Sequence, residues 1–320
     1  MNKETLAAFG GMLQNSFLAE GRLLKPRRAR SRQGLMHIRT MTVRDIPAGM
    51  RLKEIAGWNQ TEADWQIFLD ASREGCFVAE VDGVVGGTAT TIVYGGRLAW
   101  VGMVLVHPQY RGHGMGTMLL KKCIEHLDSI QVPCIKLDAT PLGKPIYEKL
   151  GFATEYGLER WTLKRRKEDL ARRDQLDPDE SMPGPVLEDV LKADREVFGA
   201  DRGAVLRALN LNQPLFTHLV RNAGGTEGYA FGRRGSFADH VGPWIAKDEA
   251  AGEGILMRFL AHSRREMVVT DCSKANRFAR KLLQARGFEY SRPLTRMFRG
   301  RNEYPGRPEL VCAVLGPEFG

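Results

Sequence analysis

An apolar stretch, Val104-Leu105-Val106, runs through His107-Pro108-Gln109-Tyr110 into Arg111-Gly112-His113-Gly114-Met115-Gly116-Thr117. Three glycines at alternate positions let the backbone turn sharply and let N–H groups converge on one point. With a helix starting behind them, those donors and the helix dipole form a site for a phosphate or pyrophosphate. Arg111 adds a charge-assisted contact. The spacing is neither the dinucleotide-binding GxGxxG, because the third glycine comes too early, nor the GxxxxGK[ST] phosphate loop. Further along, Pro145-Ile146-Tyr147-Glu148-Lys149-Leu150-Gly151-Phe152 supplies a phenol, Tyr147, and Leu137-Asp138-Ala139-Thr140 supplies a carboxylate, Asp138. The five cysteines (Cys76, Cys123, Cys134, Cys272, Cys312) form no CxxC or Cys/His cluster. A zinc site and a disulfide framework are therefore not expected, and free thiols suit a reducing cytoplasm.

The elements that must position these groups are readable from periodicity. His37–Val43 and the stretches Cys76–Val81, Val84–Val93 and Arg97–Val106 read as strands, with Asp82-Gly83 and Gly95-Gly96 as hairpin turns. Arg44–Gly57, Glu62–Ser72 and Met115–Leu127 read as helices, and a strand at Cys134–Ala139 and a short helix near Pro145–Leu150 precede a closing strand at Phe152–Leu163. This order predicts an α+β domain over 36–163. Lys164–Glu180 holds six basic and six acidic residues and is followed by Met182-Pro183-Gly184-Pro185, so 164–185 reads as a charged linker. Residues 186–320 echo the first half: Arg286-Gly287-Phe288 matches Leu150-Gly151-Phe152, and Val241-Gly242 matches Val101-Gly102. The repeat predicts a second, similar domain.

The two chemical motifs together resemble the GNAT superfamily of N-acetyltransferases. Its acetyl-CoA loop has the form Gln/Arg-x-x-Gly-x-Gly/Ala, here Arg111 to Gly116, and a Tyr-x-x-x-Gly-Phe segment follows its fifth strand, here Tyr147 to Phe152. The resemblance implies a fold of two tandem GNAT-like domains, each a mixed, largely antiparallel sheet flanked by helices, with acetyl-CoA as cosubstrate and no metal. It places Val104, Leu105 and Val106 along the pantetheine arm, and Arg111, Gly112, His113, Gly114, Met115, Gly116 and Thr117 at the pyrophosphate. It gives Tyr147 the role of protonating the departing thiolate. Acceptor contacts come, in this family, from the first two helices and their junction, here Trp58, Asn59 and Asp64. Trp58 fits a core position equally well. The strand Arg97–Val106 holds no Asp or Glu where several members keep a glutamate, and the resemblance makes Asp138 the candidate base because the end of the fifth strand faces the splayed site in this fold, although helix capping or turn formation before Pro141 also fits it. The second half lacks both the loop and the tyrosine, with Leu283 standing where Tyr147 stands in the first. It reads as a degenerate copy, so activity is expected from 36–163 alone.

Bulk properties narrow the partners. The net charge is +9, yet residues 1–35 carry seven Lys/Arg against Glu4 and Glu20, so most of the excess lies in a basic extension read as disordered. The remainder offers little general attraction to a phosphate backbone, and no apolar run approaches the ~18 residues of a membrane span. The expected partner is a small-molecule amine rather than nucleic acid or membrane, with oligomeric state left open. A protein that binds acetyl-CoA as a sensor, without turnover, is the alternative.

Overall fold

The computed structural model describes residues 36–171 and 182–320. The basic extension expected over 1–35, and the part of the expected linker over 172–181, lie outside the described residues. The described residues begin with β1 (Met36–Thr40), α1 (Ile46–Ile55) and α2 (Glu62–Ala71), followed by the meander β2 (Phe77–Val81), β3 (Val84–Tyr94) and β4 (Leu98–Val106). At both hairpins the two turn residues have positive φ: Asp82 52° and Gly83 78°, then Gly95 57° and Gly96 69°. Such turns match the twist of the strands they join. The helix α3 (Met115–Ser129) buries Leu119, Leu120, Cys123, Ile124 and Leu127 along one face. After it come β5 (Cys134–Ala139), α4 (Lys144–Lys149), β6 (Ala153–Lys164) and the short α5 (Lys167–Ala171).

The second half repeats the order with α6 (Gly184–Phe198), α7 (Gly203–Asn212), β7 (His218–Asn222), β8 (Gly225–Arg234), β9 (Asp239–Ala246), α8 (Glu249–His262), β10 (Met267–Ser273), α9 (Ala279–Ala285), β11 (Glu289–Gly300) and β12 (Val311–Ala313). The linker expected over 164–185 is shorter than its charge pattern suggests. α5 stands inside it, and Pro185 sits in the first turn of α6, where its missing N–H leaves no bond unmade.

The twelve strands of the described residues form one sheet, in the order β1-β2-β3-β4-β5-β11-β6-β10-β12-β9-β8-β7. The halves expected at 36–163 and 186–320 therefore exchange strands. β11, from the second half, lies between β5 and β6 and pairs antiparallel with both, while β6 also pairs with β10 over seven residue pairs. One continuous core cluster joins Trp65, Phe68, Trp100 and Leu105 of the first half to Leu191, Leu206, Tyr229 and Phe319 of the second. The C-terminal segment crosses back over the first half. Trp100 Nε1 donates to the Pro317 carbonyl at 3.0 Å, the Tyr94 hydroxyl donates to the Phe319 carbonyl at 2.8 Å, and the Phe319 ring stacks on Phe68 at 4.5 Å.

Candidate active site

β4 and β5 run parallel but pair only at Ala99–Ile135 and Trp100–Lys136, after which they separate. Within β4 a bulge interrupts the register with β3, where Thr88 pairs with Leu105 but Thr90 with Gly102. Met103, at the bulge, has φ 50°, and its carbonyl accepts a 2.8 Å hydrogen bond from the Thr88 hydroxyl. A bulge leaves ladder groups unpaired and re-aims the strand, so the separated edge of β4 offers backbone donors and acceptors to a ligand lying in the wedge. Of the three residues expected there, Val104 lines the resulting cavity, whereas Leu105 points into the core with 4% exposure. Val106 lies at the strand end, against the start of α3.

The glycine turn follows. Gly112 and Gly114 adopt φ 78° and 84°, and an added Cβ on either would meet nothing within 4 Å, so the backbone conformation and the open space both select glycine. Gly114 caps α3, whose first turn holds no acidic residue. The first backbone N–H groups of that helix, those of Met115, Gly116 and Thr117 among them, lack intrahelical partners and point outward. At Gly116 an added Cβ would approach Val106 Cγ2 at 3.4 Å, so its small size keeps the helix end against the strand end. Arg111 Nε donates to the Val106 carbonyl at 2.9 Å, which turns the guanidinium toward the turn. Arg111, Gly112, His113 and Gly114 are thus exposed beside the half-buried Gly116 and Thr117, and the first turn of α3 holds no acid; the Met115 side chain instead packs into the core with 2% exposure and can offer only its backbone N–H. A pyrophosphate fits these residues.

Tyr147 faces the same wedge from α4. Its ring packs over Gly143, where a Cβ would come within 2.9 Å of Tyr147 Cε2, and against Phe152 at 6.1 Å between centroids. Burial pushes its pKa up to about 12, so the phenol is protonated at neutral pH.

A cavity of about 100 Å³ opens between these elements. Met103, Val104, Leu137, Asp138 and Tyr147 line it from the first half, Trp58 and Gln60 from the α1–α2 junction, and Arg160, Arg292, Leu294, Pro317 and Glu318 from the exchanged strands and the C-terminal segment. Gly102, which also lines it, leaves room for that segment, since a Cβ there would sit 2.4 Å from the Glu318 carbonyl oxygen.

Three sequence expectations change here. Asp138 does line the cavity, but both its oxygens accept 2.9 Å bonds from Arg296, whose guanidinium also lies over the Trp100 ring and donates to the Tyr156 hydroxyl. Burial raises its pKa and Arg296 opposes that rise, so the carboxylate is held inside an ion pair with each oxygen accepting from the guanidinium. Asn59 is buried and holds a loop of the other half: it donates to the Ala238 carbonyl and accepts from the Phe237 and Ala238 amides. Asp64 is likewise buried, as the third residue of α2, where it closes the capping box with Thr61. It accepts from Thr61 N at 2.7 Å and from the Thr61 hydroxyl at 3.0 Å, and it lies 3.5 Å from Arg233. Asn59 and Asp64 fasten the halves together; of the three expected acceptor residues, only Trp58 reaches the cavity.

Arg160, Arg292, Leu294 and Glu318 were not foreseen. Their signal is a cation on a strand face shared with buried Leu158 and Leu294, which a period-two reading flags as out of place, but only the strand exchange carries them to the first half's wedge. Arg160 donates from Nε and Nη2 to Asp271 at 2.9 and 2.7 Å, and Arg233 donates to Glu318. Burial opposes ionisation of Glu318, but Arg233 outweighs it and holds that carboxyl below its usual range.

Comparison with known proteins agrees with this geometry. Residues 46–152 match the Acetyltransferase (GNAT) family, and residues 190–313 match the Acetyltransferase (GNAT) domain. Over 175 residues the chain is 29% identical to the uncharacterized N-acetyltransferase YitH of Bacillus subtilis (strain 168), a stretch that covers 52% of this chain and only 57% of that protein. A putative acetyltransferase from Pyrococcus horikoshii superposes with a TM-score of 0.73 at 22% identity, covering 89% of this chain and 96% of its own. A tandem GNAT protein from the clavulanic acid biosynthesis pathway superposes with a TM-score of 0.57 at 12% identity, covering 83% and 98%. At such identities the likeness speaks for the fold. Among the described residues no group of three or more His, Cys, Asp or Glu could hold a metal ion, and no helix is long and apolar enough to cross a membrane.

Proposed function

The chain belongs to the GNAT acetyltransferases through both of its halves, and from that premise we propose that the wedge between β4 and β5 transfers an acetyl group from acetyl-CoA to the amine of a small molecule. The observation that carries this reading is that the separated edge of β4 and the protonated phenol of Tyr147 line one cavity, while the end of the same strand leads through Gly112 and Gly114 into the carboxylate-free start of α3.

In this reading the pyrophosphate rests on the N–H groups at the start of α3, and the pantetheine arm pairs with β4 beside Val104. That positioning sets the thioester beside the amine and removes the entropy of bringing them together from the reaction step. The amine lone pair attacks the thioester carbonyl, and a backbone N–H at the β4 bulge stabilises the oxyanion. As the C–S bond breaks, the thiolate takes the Tyr147 proton, leaving the amide and free CoA thiol. Asp138, held by Arg296, and Glu318, held by Arg233, are poorly placed to accept the amine proton. We assign that step to solvent water reaching the cavity mouth, in place of the carboxylate base expected from sequence.

The test is titration calorimetry with acetyl-CoA followed by a thiol-release assay over a library of amines. Tight binding with amine-dependent thiol release is expected. Binding without release from any amine would leave a sensor, and absence of binding would remove the site.

A further inference from the structure

The cavity contains a cation that the proposed chemistry does not use. Arg292 of β11 stands directly across from Arg160 of β6, and both line the cavity. Like charges facing each other across a strand pair destabilise the sheet. Arg160 is neutralised by Asp271 through two hydrogen bonds. Arg292 has no such relief: although half-buried, it makes no hydrogen bond or ion pair with any described residue. The acids whose charges reach it are already engaged, since Asp271 is held by Arg160 and Glu318 by Arg233. A bulge at Ser291 shifts the register just before Arg292 and so fixes its position at the cavity wall. A guanidinium partly withdrawn from water, opposite a second guanidinium and without a counter-ion, is a local cost of the kind that folds retain at functional sites.

We infer that Arg292 binds a carboxylate carried by the acceptor, so that the amine substrate is an amino acid or a compact amino-acid-like molecule. This deepens the acetyl-transfer reading and rests on it. The planar fork of Arg292 suits two-point binding of a carboxylate. Because Arg292 belongs to the second half, that half contributes the acceptor specificity of the first half's site.

The experiment compares full-length wild type, Arg292→Gln and Arg292→Lys in the thiol-release assay. The acceptors are matched panels: L-amino acids, their carboxamides, their decarboxylated amines, and glucosamine 6-phosphate as a phosphate-bearing amine. Wild type should prefer the amino acids by at least about tenfold in kcat/KM. A preference of that size corresponds to one desolvated charge pair, and tenfold is about 1.4 kcal/mol. Arg292→Gln should lose the preference mainly through KM, with Arg292→Lys between the two. The acetyl-CoA Kd should stay unchanged and the Tm should not fall, because the substitution relieves the repulsion with Arg160. A second measurement separates this inference from the reading beneath it: calorimetry of N-acetyl amino acids in the presence of CoA. Binding that Arg292→Gln abolishes would uphold the carboxylate site even if no amine were acetylated. Turnover of carboxylate-free amines together with no carboxylate binding would overturn the inference and leave acetyl transfer standing. A preference for the phosphate-bearing amine would overturn the carboxylate assignment. Neither turnover nor binding would overturn both.

Discussion

The two halves share a plan and differ where chemistry would happen. In each, a bulged strand runs parallel to the next strand and pairs with it at only two positions: Ala99–Ile135 and Trp100–Lys136 in the first, Asp239–Val268 and His240–Val269 in the second. Beyond those pairs both wedges open. In the first the wedge remains a cavity, whereas in the second the chain's own β12 fills it, with Ala313 pairing both Trp244 and Cys272. The helix starts differ in the same direction. α3 is capped by Gly114 and has no acid in its first turn, while α8 is capped by the Asp248 carboxylate, which accepts from Ala251 N at 2.8 Å, and Glu249 follows in its first turn. The donors that can meet a phosphate in one half are met by the protein in the other. Leu283 of α9, fully buried, replaces the phenol. Thus the degenerate half has not simply lost residues; each part of the site has been given a structural occupant.

The largest effect should come from making α3 resemble α8. Gly114→Asp forces a side chain into φ 84° and sets a carboxylate where the phosphates are placed. Like-charge juxtaposition of this kind costs several kcal/mol, so acetyl-CoA affinity should fall by at least about 100-fold. Calorimetry on the folded variant decides it; unchanged affinity would move the cofactor site elsewhere.

Next comes the phenol. Tyr147→Phe keeps the packing on Gly143 and Phe152 and removes the proton. A general acid contributes about 10²–10⁴-fold, and a thiol is a good leaving group, so kcat should drop near the lower end, by about 100-fold, with the acetyl-CoA Kd unchanged. Since burial holds the phenol near pKa 12, the wild-type rate should show no alkaline limb from this group below that value. Equal kcat in the variant would return Tyr147 to a packing role.

A smaller effect on turnover is expected at Asp138. Asp138→Asn leaves the buried Arg296 without its counter-charge, and breaking such a pair costs about 3–5 kcal/mol of stability. The Tm should fall clearly while the acid limb of the rate profile stays where it was. A lost acid limb would reinstate Asp138 as the base.

What was legible in the sequence follows from locality. The glycine turn, its helix and Tyr147 lie within the 36 residues from Gly112 to Tyr147, and each is specified by its immediate neighbours: left-handed backbone at Gly112 and Gly114, a short helix closed by Gly151. The repeated Val101-Gly102 and Val241-Gly242 were visible as a pattern. Their shared reason was not, because each glycine makes room for the C-terminal segment: Glu318 crosses Gly102 and Val314 crosses Gly242. The acceptor side was largely illegible for the same reason. Arg160 and Arg292 are cross-strand neighbours 132 positions apart in sequence, joined by a strand exchange that no local periodicity encodes. Asn59 and Asp64 misled because a polar residue at a helix start reads alike whether it meets a substrate, a cap or another domain's loop.

The smallest effect tests whether the degenerate half is closed by its cap or by its strand. Asp248→Ala removes the side chain that caps α8 and the charge that would repel a phosphate. Loss of such a cap costs about 0.5–2 kcal/mol. For a unit of this size a loss of about 1 kcal/mol lowers Tm by roughly 2–4 °C, and differential scanning calorimetry should find a shift in that range. Acetyl-CoA titration should still give one site per chain, because β12 continues to occupy the wedge where the pantetheine arm would need the edge of β9. A second site in this variant would mean that the cap alone closes the half and that β12 yields to a ligand. With stoichiometry unchanged, the strand is the decisive occupant, and the difference between an open and a filled wedge is what makes one half catalytic in this reading and the other a scaffold for its acceptor pocket.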